Sequence, residues 1–183
     1  MSEPGRADPP PEPRSTALGP RLGALLRSGR DRAAELRTTE RLLELVTIAA
    51  LAGGALLIVA EFLDLFEIEA AGLVVKQQAG GPHHSYAMLV LGVGTIVATL
   101  LARSTEQWPP ALGVVVLAGF ALAFTLIADL PDVTRSDLVR GAQIAEAHPA
   151  IGFWTQLAGA TIAFVSGLVL LRLLRRAARE LRS

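Results

Sequence analysis

The chain has 183 residues, 17 basic and 17 acidic, so its formal net charge is zero. Hydrophobic residues make up 51% and charged ones 19%, and long stretches between Val46 and Leu171 carry no charge at all. That segregation excludes an ordinary soluble domain and a basic nucleic-acid binder, and the absence of Cys excludes disulfides, thiolate catalysis and thiolate zinc or iron–sulfur sites.

Residues 1–20 hold six of the eleven prolines and almost nothing large and apolar, which predicts a disordered cytoplasmic tail. Over 21–41, Leu22, Leu25, Leu26, Ala33 and Leu36 recur at helical spacing, with Arg21, Arg30, Arg32 and Arg37 elsewhere around the wheel. That pattern predicts an amphipathic cytoplasmic helix leading into the membrane, either solvated or lying on the anionic inner leaflet or a partner protein.

A bilayer-crossing helix needs roughly 20 apolar residues. Four segments qualify: Leu42 to Leu63, Ser85 to Ala102, Trp108 to Ala128, and Ile151 to Leu171. Pro109, Pro110 and Pro149 mark starts, because proline in a first turn removes no intrahelical bond. The expected fold is therefore an all-α, four-helix transmembrane bundle over 42–175, with a basic cytoplasmic helix end over 176–183. Small residues four apart, such as Gly53 after Ala49, Gly54 after Ala50, and Gly159, Ala163 and Gly167, suit close helix packing in lipid.

Arg and Lys near the span ends set the orientation. One side carries Arg37, Arg41, Arg103, Arg172, Arg175, Arg176, Arg179 and Arg182; the other carries only Lys76, Arg135 and Arg140. Both termini are expected in the cytoplasm, with two short extracytoplasmic loops. The first, 64–84, alternates and then turns at Ala70-Ala71-Gly72, which predicts a short hairpin. The second, 130–148, has Thr134 three residues before Asp137, which predicts a short helix capped by Thr134. The Arg-rich cytoplasmic ends are expected to meet anionic lipid.

The chain also resembles itself. Ala60-Glu61-Phe62-Leu63-Asp64-Leu65 matches Ala128-Asp129-Leu130-Pro131-Asp132-Val133 in small residue, acid, two residues, Asp, aliphatic. Each is followed by a loop, a His (His84, His148) and a span, which suggests two hairpins repeated about the membrane normal.

Every outer span end thus carries ionisable groups: Glu61, Asp64, His83, His84, Asp129, Asp132 and His148 form a candidate polar ring. Imidazole and carboxylate together can hold a divalent ion or relay protons, but no tight ligand spacing appears, so neither a metal nor a cofactor is expected. The ring's expected role is to pin the hairpins through contact between Glu61 or Asp129 and His84 or His148. There is no Gly-rich phosphate loop, no G-x-S-x-G and no H-E-x-x-H, so no catalytic activity is expected. The layout of four spans, two outer loops and cytoplasmic termini resembles claudin-type tetraspans in topology, without a shared motif. With 16 Arg against one Lys, the composition is that of a GC-rich bacterial genome. The expected role is a multi-pass bacterial inner-membrane protein serving as an accessory or assembly component, with a membrane-protein partner or a second copy. The alternative is a transport or ion-handling protein using the outer ring.

Overall fold

A computed structural model describes residues 18–70, 73–84, 86–135, 138–140 and 143–180. The tail expected to be disordered therefore lies largely outside the described residues. Residues 1–40 and 41–183 are separate compact units.

Four helices are long and apolar enough to cross a membrane: Thr38–Ala60, Ala87–Thr105, Trp108–Val133 and Ile151–Glu180. The first belongs to α1 (Leu18–Ala60), which also takes in the amphipathic segment expected over 21–41. It is followed by strands β1 (Asp64–Ala70) and β2 (Leu73–Ala79) and the short α2 (Gly80–His84). Next come α3 (Ala87–Thr105) and α4 (Trp108–Phe124), with Pro109 and Pro110 in the first turn of α4 as expected. A π turn over Thr125–Asp129 leads into α5 (Leu130–Val133). Then follow β3 (Leu138–Arg140), β4 (Gln143–Pro149) and α6 (Ile151–Glu180).

The π turn has an identifiable cause. Pro131 has no N–H and would crowd the Ile127 carbonyl in a regular helix. The helix widens instead, and the Leu130 N–H donates to the Thr125 carbonyl, five residues back. The third apolar helix thereby runs to Val133, beyond its expected end at Ala128.

Small residues bring the helices together. A Cβ on Gly53 would stand 2.7 Å from the Ala163 backbone nitrogen, so α1 and α6 touch backbone to backbone. Gly54 faces α3, where an added Cβ would be 3.0 Å from the Gly92 carbonyl, and Gly92 returns the contact against Gly54. Gly167 of α6 meets Val114 and Val115 of α4, and Gly94 of α3 meets Leu117 of α4. Each helix thus has two neighbours, in the cyclic order α1, α3, α4, α6. The buried interior is mostly small: Ala50, Ala111, Ala118, Ala121, Ala160 and Ala163. The exposed positions include Leu45, Ile48, Val90, Val116, Phe120 and Val165. Many large apolar side chains on the outside and an alanine-rich interior suit a hydrocarbon surrounding, where packing rather than water exclusion joins helices. Two buried hydroxyls close on their own helix, Thr99 to the Thr95 carbonyl and Thr125 to the Ala121 carbonyl.

The all-α expectation needs correcting. The two loops between spans form one antiparallel sheet in the order β2-β1-β4-β3. The first hairpin is as expected. Among the described residues no helix follows Thr134 before α6, contrary to expectation: its hydroxyl bonds the Leu130 carbonyl at the end of α5, and Leu138–Arg140 and Gln143–Pro149 are strands. Pairing of β4 with β1, from Phe66↔Pro149 to Ala70↔Ala145, overrides the helical preference of its alanines. The sheet rests on the bundle through Leu65, Val133 and Phe153, a buried cluster drawn from β1, α5 and α6.

The order helix, hairpin, helix occurs twice among the described residues. The strand order β2-β1-β4-β3, however, shifts the second hairpin along the sheet, whereas the rotation about the membrane normal expected from sequence would pair β1 with β3.

Candidate functional site

Leu57, Met88, Ala121 and Ala160, one from each membrane helix, form a buried apolar layer. One turn further toward the sheet lie Glu61 on the α1 side, Thr125 at the end of α4 and Gln156 on α6. This next layer is polar, and it is the centre of the site.

Glu61 is 2% exposed. It follows the last residue of α1, yet its Oε1 accepts from the backbone N–H groups of Met88 (2.6 Å) and Leu89 (3.2 Å) in the first turn of α3. A helix's first N–H groups have no intrahelical acceptor, and a carboxylate there also meets the positive end of the helix dipole. Tyr86, the residue before α3, is in the left-handed conformation at φ 63° and offers no side-chain cap. Glu61 supplies the cap from another element. Gly80 and Gly81 make room for it: the Gly81 N–H donates to the Glu61 carbonyl at 2.8 Å, and a Cβ on Gly80 would reach the Glu61 Oε2 at 3.5 Å. That Oε2 is buried without a hydrogen-bond partner among the described residues.

Asp129 is fully buried at the end of the π turn. Gln156 Nε2 donates to Asp129 Oδ2 at 2.6 Å and to Thr125 Oγ1 at 2.7 Å. One amide therefore ties α6 to both ends of the π turn.

The remaining residues of the expected ring lie in separate groups. His83 Nε2 is 3.5 Å from Asp132 Oδ2, and its ring stands edge-on to Phe66. That pair links the two hairpins. His148 lies on the sheet, with Nε2 3.8 Å from Glu69 and 3.9 Å from Glu146, and its side chain is half exposed. Asp64 opens β1 opposite Ala79, and its carbonyl packs on Gly152 at the start of α6. His84 ends α2, and its side chain lies outside the described residues. Glu61 and His148, expected to share one rim, part company: the first caps a helix and the second pairs with sheet carboxylates. No group of three or more His, Asp or Glu poised to hold a metal ion occurs among the described residues.

Gln156 and Thr125 were missed from sequence. The signal was present: Gln156 is the lone amide in the fourth apolar segment, and an amide in hydrocarbon requires a partner.

No family model matches the chain, and neither a curated protein nor a solved structure matches it.

Proposed function

We propose that this protein is a non-catalytic, multi-pass component of the bacterial inner membrane, with both termini cytoplasmic, that offers its sheet to a membrane-protein partner. The observation that carries the reading is the open edge of β2. This seven-residue strand pairs with β1 on one side and with no strand on the other among the described residues. Leu73 and Val74 on it are exposed at 71% and 53%, and Lys76 is its single charge. An unpaired edge of that length is a template for strand addition by an extended segment of another chain. The buried carboxylates support a structural rather than a chemical role, since Glu61 caps α3 and Asp129 accepts from Gln156 to tie the π turn to α6.

A photo-crosslinking residue in place of Lys76 tests the reading in intact cells. One discrete heavier species is expected, and none from the same residue in place of Ser104. Absence of a discrete species, or a species of twice the chain's own mass, overturns the hetero-partner reading.

One observation favours ion or proton handling as the second reading: the buried Glu61 Oε2 without a hydrogen-bond partner. Metal bound to the purified protein and lost in Glu61→Gln would favour it.

A further inference from the structure

At the end of the bundle opposite the sheet, α6 continues past its apolar segment. It has 30 residues, against roughly 20 needed to cross the hydrocarbon. Its last three turns carry Arg172, Arg175, Arg176 and Arg179. Two of these differ from the others in their surroundings. The Arg175 guanidinium stacks over the Trp108 ring, 4.9 Å from its centroid. Arg179, one turn on, lines the same groove of about 250 Å³, together with Trp108, Arg175 and Ala178. Trp108 opens α4, so the positive end of that helix dipole faces the groove as well.

We propose that this groove is a binding site for the headgroup phosphate of an anionic phospholipid. The indole face fixes one guanidinium before any ligand arrives, which reduces the ordering cost of binding. Arginine's planar fork matches phosphate oxygens in pairs. Ala178 leaves the floor open where a longer side chain would fill it. The depth is that of a lipid headgroup: Trp108 begins one apolar helix and Arg175 follows the end of another, which is the interfacial level tryptophan favours. The apolar indole and Ala178 beside the two charges suit a phosphate carrying a glycerol and acyl chains better than a free ion. Two acids lie close by in sequence: Glu180, which follows Arg179 on α6, and Glu106, which lines an adjoining groove and is 3.8 Å from Arg103. The site does not depend on the sheet edge or on which way the protein faces.

Native mass spectrometry of the full chain, released from micelles doped with phosphatidylglycerol or phosphatidylcholine, tests it. The wild-type protein should retain phosphatidylglycerol in preference to phosphatidylcholine. Arg175→Gln with Arg179→Gln should weaken retention about 30-fold, from about fivefold per charge near anionic lipid. Arg172→Gln with Arg176→Gln removes the same charge outside the groove and should weaken retention clearly less. Ala178→Leu keeps every charge and fills the groove, and it should also lose the lipid. Equal losses in the two double variants would mean diffuse attraction and overturn the site, as would wild-type retention in Ala178→Leu. Displacement of the lipid by inorganic phosphate as readily as by soluble phosphatidylglycerol would overturn the lipid assignment.

Discussion

Truncating Glu61 to Ala would strip the acceptor from the Met88 and Leu89 N–H groups at the buried start of α3. An unsatisfied buried donor costs about 1–3 kcal/mol, so Glu61→Ala should lower the midpoint of SDS-induced unfolding clearly. Glu61→Gln keeps one carbonyl oxygen to accept those bonds and should lose less. Equal losses would mean that the cap contributes nothing and the charge everything. The importance of Glu61 was legible in sequence, because a carboxylate beside an apolar span needs a reason. Its partner was not. The acceptor serves backbone donors 27 and 28 residues away, and backbone groups have no sequence signature. His148 illustrates the opposite case: its place on a strand beside Glu69 depends on a register that no local pattern encodes.

Among elements, the contact between α1 and α6 and the one between α6 and the π turn invite separate tests. Gly53→Val would place a branched side chain against the Ala163 nitrogen and the Gly159 carbonyl, where only backbone could give way. Overpacking of this kind costs about 1–3 kcal/mol, and unfolding in mixed micelles should register it. Ala55→Val, at an exposed position two residues on, should be close to neutral. Gln156→Leu would leave Asp129 and Thr125 without their amide donor. A loss of about 1–3 kcal/mol is expected, and Asp129→Leu combined with Gln156→Leu should recover part of it, since the carboxylate that lost its amide donor is then gone as well. A double variant as unstable as the sum of the two would contradict the pairing. The four apolar helices were legible to within a few residues, as their length and the paired prolines fix them. The π turn was not, although Pro131 announces a departure from regular helix two residues after Asp129.

For the whole molecule, the absence of Cys makes introduced thiols clean reporters. Under the proposed orientation, Gln77→Cys and Glu146→Cys should react with an impermeant maleimide in intact cells, and Thr105→Cys only after permeabilisation. The reverse pattern would invert the topology. Glu69 and Glu146 are register partners across the two hairpins. Antiparallel partners hold their Cα atoms about 4.5–5.5 Å apart, within reach of a disulfide. Glu69→Cys with Glu146→Cys should therefore oxidise to a faster-migrating species on a non-reducing gel. Failure to bridge would refute the joined sheet. That joining is the least legible feature of the sequence. The first hairpin announces itself by alternation and a small-residue turn. The second has an alanine-rich β4 whose strand conformation depends on a neighbour far away in the chain.

The pairing of β1 with β4 also sets an order of construction. A nascent chain delivers β1 and β2 to the sheet side of the membrane with the first pair of helices, while residues 143–149 are still to be made. During that interval β1 has a bare edge facing the place where β4 will sit, and the cluster of Leu65 with Val133 and Phe153 lacks Phe153. The first half is consequently a half-built object with a sticky flank, dependent on the synthesis of its second half for cover. A ribosome stalled before residue 143 would leave that flank open to chaperones and proteases, so the last strand laid down acts as the quality seal on everything inserted before it.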